Sequence, residues 1–322
     1  MIEYRSFSNP DPPHLVALWH ACQLGRGAAS GVSTDIFEAL NLSQSYFDPH
    51  GLTVACDGKE IIGYSHAGFG SNADGSGLST AEGIICAVMV HPKYRRQGIG
   101  RRLIEHAEHF LEAAPTEKIH AGPAPPRDPF YTGMYGGTQP AGFLESDPNA
   151  APFFAALGYE PVERHLIFQR DISRQSNPVN YQLVNLRRKT ELVISNQPEN
   201  VSWWWLTRFG RLDSVRFSLM HKDRQPVTAA ASAVGLDLYM GKWNERAVGI
   251  TDIVIADASD GPECGQLLLH DICRRLREEV TTRVEAHAPE SDVAAVELLE
   301  ATGFTQVDAG VVYRRTSDSK GT

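Results

Sequence analysis

Four arginines crowd a short run that holds two glycines, Arg95-Arg96-Gln97-Gly98-Ile99-Gly100-Arg101-Arg102. Residues without a Cβ let backbone amides converge on one bound group, and a helical pattern starts directly afterwards. The positive end of a helix dipole therefore points into the same space. Guanidinium charge and dipole act there in one direction, so the chemistry predicted is the binding of a polyphosphate. Two other phosphate motifs do not fit: no Lys-Ser/Thr pair completes a P-loop, and Leu103 stands where a dinucleotide fingerprint needs its third glycine.

Stepping outward from this run, residues 84–90 (Ile-Ile-Cys-Ala-Val-Met-Val) are apolar on both faces, as in a central strand of a sheet covered on both sides. Pro92 ends that strand. Leu103, Ile104, Ala107, Phe110 and Leu111 give the following helix, 101–112, a single apolar stripe. Strand, turn and helix together resemble the acetyl-CoA signature of the GNAT superfamily of N-acetyltransferases. In that signature Arg/Gln-x-x-Gly-x-Gly/Ala follows a strand ending in V-x-P, and residues 95–100 match every position. The resemblance implies an α/β fold with a mixed sheet. It implies acetyl-CoA as cosubstrate, held by Arg95, Arg96, Gln97, Gly98, Ile99, Gly100 and Arg101. Backbone groups at the strand end, Val88, Met89 and Val90, would bind the pantetheine arm and polarise the thioester carbonyl.

Acyl transfer to an amine needs a neutral nucleophile. An amine of pKa about 10.4 is unprotonated to about one part in a few thousand at pH 7, so a positioned base contributes about 10²–10⁴-fold. Glu82 is the candidate base: by the two-residue period of a strand it shares a face with Ile84, Cys86 and Val88. Residues 82–88 also resemble the histone-acetyltransferase branch, in which a glutamate at this place is the base. An apolar setting would raise its pKa toward neutrality. The tyrosine that usually protonates the leaving thiolate is replaced by Phe154, which leaves Tyr131 or Tyr135 as substitutes, or no acid at all. Cys86 reads as an inert buried strand thiol.

Taken in order, residues 2–7 read as a first strand, Asp11-Pro12-Pro13 as the cap of a helix, and 34–42 as a second helix. The small-residue loop between them, 25–31, would border the acceptor. Asp57-Gly58 marks a hairpin between strands at 52–56 and 61–69, and 70–79 reads as a mobile loop. Residues 121–137 form a long aromatic insert, whose Tyr131 and Tyr135, with Phe143, would line an acceptor pocket. A short helix at 150–157 and a strand at 166–169 close the first half.

The second half repeats this plan faintly. Residues 254–265 parallel the cofactor strand and cradle, and Glu297-Leu298-Leu299-Glu300-Ala301-Thr302-Gly303-Phe304 parallels 152–159. Asp257, Asp260 and Glu263 stand where the first cradle is basic, and they would repel a pyrophosphate. We therefore expect two GNAT-like domains, 1–173 and 179–316, each a twisted mixed sheet flanked by helices, with one working site in the first. Of Trp203-Trp204-Trp205, two should bury and one lie at a rim or domain interface.

The function these readings imply is acetyl-CoA-dependent N-acetylation of a primary amine, on a small molecule or a protein, by direct transfer. The alternative is a non-catalytic acyl-CoA sensor or interaction module. A formal net charge of -9 argues against a nucleic-acid surface. Five scattered cysteines without CxxC spacing fit a reducing cytoplasm, and no apolar run suggests a membrane span. His106 and His109 read as exposed helix residues, so no metal is expected. The quaternary state expected is a monomer or homodimer.

Overall fold

The computed structural model describes residues 1–174, 181–196, 201–223, 227–256 and 261–316. Of the polar run 173–178 at the expected boundary between the two domains, residues 175–178 lie outside the described residues, as do the acids Asp257 and Asp260. The first half runs β1 (Ile2–Ser6), α1 (Pro12–Ala21), α2 (Thr34–Phe37), β2 (Leu52–Asp57), β3 (Glu60–Ser71), β4 (Leu78–Val90), α3 (Ile99–Glu112), β5 (Lys118–Ala121), β6 (Phe143–Leu144), α4 (Ala150–Ala155) and β7 (Tyr159–Asp171). The second runs α5 (Tyr181–Lys189), β8 (Thr190–Ser195), α6 (Trp203–Phe209), β9 (Ser214–His221), β10 (Val227–Gly235), α7 (Met240–Trp243), β11 (Ala247–Ile255), α8 (Gly261–Glu278), β12 (Arg283–Pro289), α9 (Val293–Ala301) and β13 (Thr305–Arg315).

Local chemistry explains most of these elements. The β2–β3 hairpin turns at Gly58, whose φ of 60° suits a residue without a Cβ. Asp11 stands at the N-cap of α1 but makes no capping bond; its carboxylate takes both guanidinium arms of Arg5 at 2.7 Å. Helix α2 covers only the start of the expected 34–42 segment, and Glu38–Leu42 continue it as a wider π-type turn.

All strands among the described residues join one sheet, in the order β1-β2-β3-β4-β5-β13-β7-β12-β11-β10-β9-β8, with β6 paired to β13. Read outward from the central β13–β7 pair, the strand order runs alike in both directions, and each half lends its closing strand to the other. The first half's β5 pairs with β13, and the second half's β12 pairs with β7. Strand β7 is longer than the expected 166–169 because it, like β13, must pair on two sides.

One face of the sheet carries α3, α5 and α8. Helix α3 sets Ile104, Ala107 and Leu111 against Ile85, Ile119 and Ala121, and α8 builds the matching core of the second half from Leu267, Leu268 and Ile272. The opposite face carries α1, α2 and the insert, with Trp19, Phe37, Ile84, Cys86, Phe130 and Met134 in its core. Gly265 lies inside α8, not in a cradle: a Cβ there would meet Ile255 at 2.6 Å.

Candidate functional site

Strands β4 and β5 run parallel only as far as the Ile85–Ala121 pair, while β4 continues to Val90. The parting leaves the last residues of β4 with a free edge on that side. Just before it, Cys86 is an extra residue in β4 opposite the step from His66 to Ala67. This bulge breaks the two-residue period. Ile84, Cys86, Ala87 and Met89 face the insert side, whereas Val88 packs toward α3; the expectation that Val88 shares the face of Glu82 is corrected on that ground.

Beyond Val90 the chain turns through Pro92–Tyr94 to Gly98, which sits at the head of α3 with a φ of 81°. The first intrahelical acceptor is the Gly98 carbonyl, bonded by Arg102 N at 3.1 Å, so the amides of the first turn stay open. They face a cleft of about 310 Å³. Val88, Met89, Val90, Arg95, Arg96, Gly98, Gly100 and Arg101, all among the residues expected to hold the cosubstrate, line it, and Phe153, Phe154 and Asn149 form the opposite wall. A Cβ at Gly100 would stand 3.0 Å from the Phe153 ring, which would have to yield by a few tenths of an ångström to admit it. Gln97 and Ile99 do not line the cleft. Gln97 turns its amide to the Lys93 carbonyl at 3.3 Å, and Ile99 is buried beneath the loop with Leu103. Arg102 instead lies over the Tyr4 ring at 5.4 Å.

Glu82 lies on β4 at the insert side, and its surroundings are basic, not apolar. Arg127 Nη1 is 3.3 Å away, His120 Nε2 3.7 Å and Lys118 Nζ 3.8 Å. Arg127 also pairs with Glu163 of β7, and His165 Nε2 stands 3.5 Å from that carboxylate. The neighbouring His165 first, and then the Arg127 charge, outweigh partial burial and hold the Glu163 carboxyl down at about 2. Burial, assisted by Arg127, pushes the His120 imidazole below its ordinary value, so it is neutral at pH 7. Neither ring nitrogen of His120 has a hydrogen-bond partner among the described residues.

Tyr131 and Tyr135 are not brought to the cleft. Tyr131 is 2% exposed, its ring between Trp19 and Phe37 and its hydroxyl 3.1 Å from His66 Nδ1. The Tyr135 hydroxyl accepts the Leu144 amide at 3.3 Å. Burial raises the pKa of both. The expectation of a catalytic role fails for a packing reason: the insert seals the two halves together. Thr138 gives its amide and hydroxyl to buried Glu285 at 2.8 and 3.1 Å, Asp128 pairs with Arg208, and Gln139 takes the Thr251 hydroxyl at 2.8 Å. Burial would raise the Glu285 pKa, but bonds from His287, Gln169 and Thr138 leave it lowered. At the usual tyrosine position, Phe154 stacks on Tyr313 of β13 at 5.0 Å and meets the tilted ring of Phe143 at 4.6 Å.

The three adjacent tryptophans divide as expected. Trp204 and Trp205 are buried, and Trp203 lies against Tyr46 of the first half at 5.6 Å. Sequence reasoning missed Arg127, Glu163 and His165. Arg127 lay in the flagged insert, and Glu163-x-His165 alternates at strand period, which is the signal that could have paired them. Among the described residues no helix is long and apolar enough to cross a membrane.

Comparison with known proteins agrees with this geometry. Residues 17–136 match the acetyltransferase (GNAT) family. Mycothiol acetyltransferase of Salinispora arenicola (strain CNS-205) is 34% identical over 96 residues, which make up 29% of this chain and 28% of that protein. The fold is shared over 100% of both chains with a tandem GNAT protein from the clavulanic acid biosynthesis pathway, at a TM-score of 0.66 and 16% identity. A GCN5-related N-acetyltransferase from Sphaerobacter thermophilus is similar at a TM-score of 0.61 and 15% identity, over 98% of this chain and 95% of that one.

Proposed function

We propose that the first half, whose residues 17–136 match the acetyltransferase (GNAT) family, transfers an acetyl group from acetyl-CoA to a primary amine, with Glu82 as general base. The observation that carries this reading is the cleft itself. A free β4 edge, the open amides behind Gly98 and the side chains of Arg95, Arg96 and Arg101 meet in one space. These are the groups needed for an amide-bearing arm that ends in pyrophosphate. Residues 1–173 are taken as the catalytic division and 179–316 as a degenerate partner that completes the sheet.

In the reaction, Glu82 accepts a proton from the incoming ammonium, and the free amine attacks the thioester carbon. The N–C bond forms, the C–S bond breaks and the thiolate leaves, while the second proton, shed by the nitrogen as it becomes an amide, passes to solvent. Backbone amides at the β4 bulge stabilise the charge that builds on the carbonyl oxygen. Phe154 offers the thiolate no proton, and a thiolate is a fair leaving group without one.

Two observations favour a second reading, a non-catalytic acyl-CoA sensor: Phe154 replaces the usual acid, and Arg127 already pairs with Glu82. CoA release measured with spermidine, lysine methylamide and glucosamine separates the two. Glu82→Gln should lower kcat by about 10²–10⁴-fold with acetyl-CoA affinity unchanged. Tight acetyl-CoA binding without turnover of any amine would leave the sensor reading.

A further inference from the structure

The second half has its own parting of strands. The β11–β12 ladder ends at Ile250–Ala286 while β11 runs on to Ile255, and a cavity of about 870 Å³ opens there. Because β11 and β12 hold the places in the strand order that β4 and β5 hold in the first half, this is the counterpart of the first cleft. Resting on the acetyltransferase reading above, we propose that it now serves as the acceptor chamber, taking an amine-bearing molecule without phosphate groups.

Charge argues this first. Arginines line the first cleft, whereas Asp252, Asp292 and Glu297 line the second and no Lys or Arg does among the described residues. A polyphosphate is repelled from such a space and an ammonium is drawn to it. The second argument is an unpaired group. His287 lines the cavity with its side chain 1% exposed; its Nε2 stands 3.3 Å from Glu285, and its Nδ1 has no hydrogen-bond partner among the described residues. Leaving a buried polar atom unpaired is costly, and a polar ligand would recover that cost.

The third argument is continuity with the base. Pro125 of the insert lines the cavity and lies two residues from Arg127. Pro289 lines it too and faces His165 across the β7–β12 ladder. From His165 the contacts run through Glu163 and Arg127 to Glu82. An acceptor seated by its body in the chamber sends its amine along this path and displaces Arg127 from Glu82. In this arrangement Arg127 occupies the base until a cationic acceptor arrives.

The test uses the whole chain. The five native cysteines are buried, so Ala294→Cys puts one reachable thiol on the chamber wall. It is modified with methanethiosulfonates bearing either a trimethylammonium or a sulfonate head, each rate being divided by that for N-acetylcysteine. The cationic reagent should be favoured by about five-fold at low salt, and Glu297→Gln should shrink that preference. Equal rates, or a preference for sulfonate, would overturn the charge assignment. The trimethylammonium-labelled protein should transfer acetyl to the amines above at least about ten-fold more slowly than the unlabelled variant, with acetyl-CoA affinity kept within about two-fold. Undiminished transfer in the labelled protein overturns the chamber and leaves the Glu82 reading standing. A parent protein that acetylates no amine removes the acetyltransferase reading itself.

Discussion

Gly98 offers a quantitative test of the cradle, because its two possible costs separate cleanly. Its φ is 81°, and a Cβ added there meets nothing within 4 Å, so a substitution brings backbone strain without a clash. An L-residue with a Cβ costs about 1–2 kcal/mol in the left-handed region. In Gly98→Ala that cost has two places to appear. If the loop keeps its shape, the free protein is less stable and acetyl-CoA affinity is unchanged. If the loop relaxes, stability is kept, but the ligand must rebuild the cradle, and affinity falls by about 5–30-fold. The sum over folding and binding is the same by either route. Chemical denaturation of the free protein and calorimetric titration with acetyl-CoA should therefore add up to about 1–2 kcal/mol. Gly98→Asn should give a smaller sum, since Asn tolerates this conformation best among L-residues. A sum below about 0.5 kcal/mol for Gly98→Ala, or a larger one for Gly98→Asn, would refute the argument that a left-handed residue sets the amide geometry.

Two further outcomes follow from buried charge. Burial pushes His66 down to about 3 and, together with the Arg170 charge, His270 down to about 4, both from an ordinary 6.5. The unfolded chain thus binds more protons as pH drops below 6.5, and stability should fall by about 1.4 kcal/mol per pH unit for a fully buried histidine such as His66. Glu163, held at about 2, acts in the same direction below pH 4.5. Denaturant midpoints that stay level from pH 7 to 5 would contradict this. Glu285→Ala strands the Thr138 amide and hydroxyl, Gln169 and His287, and should cost about 3 kcal/mol or more. Hydrogen exchange at Thr138 should speed up with it; unchanged exchange there would show that Glu285 does not anchor the insert.

How far the sequence reached depended on the range of each interaction. The cradle was legible because glycine, arginine and helix onset act within a few residues of one another. Glu82 was legible as a strand residue, but its setting was not. The groups around it come from β5, β7 and the insert, as much as 81 residues away at Glu163. The bulge at Cys86 escaped because a two-residue period assumes no extra residue, and nothing in an apolar run marks where one enters. The length of the insert signalled a special role, and its aromatic content suggested a pocket. The residues that decide its role are polar: Arg127, Asp128, Thr138 and Gln139, each matched to a partner distant in sequence. The exchange of closing strands was hidden for a related reason. The two halves end alike, so local pattern cannot say which strand each will pair with.

That exchange ties the timing of function to synthesis. The wall of the first cleft includes Phe154, which rests on Tyr313, and β5 has its second neighbour only when β13 arrives. During translation the cradle at 95–102 leaves the ribosome some 210 residues before that support exists. A nascent or prematurely terminated chain therefore carries the phosphate-binding signature without the finished cleft around it. On the acetyltransferase reading proposed above, competence to hold acetyl-CoA in a rigid site comes only when the second half is made, which would make that half a check on the completeness of the chain.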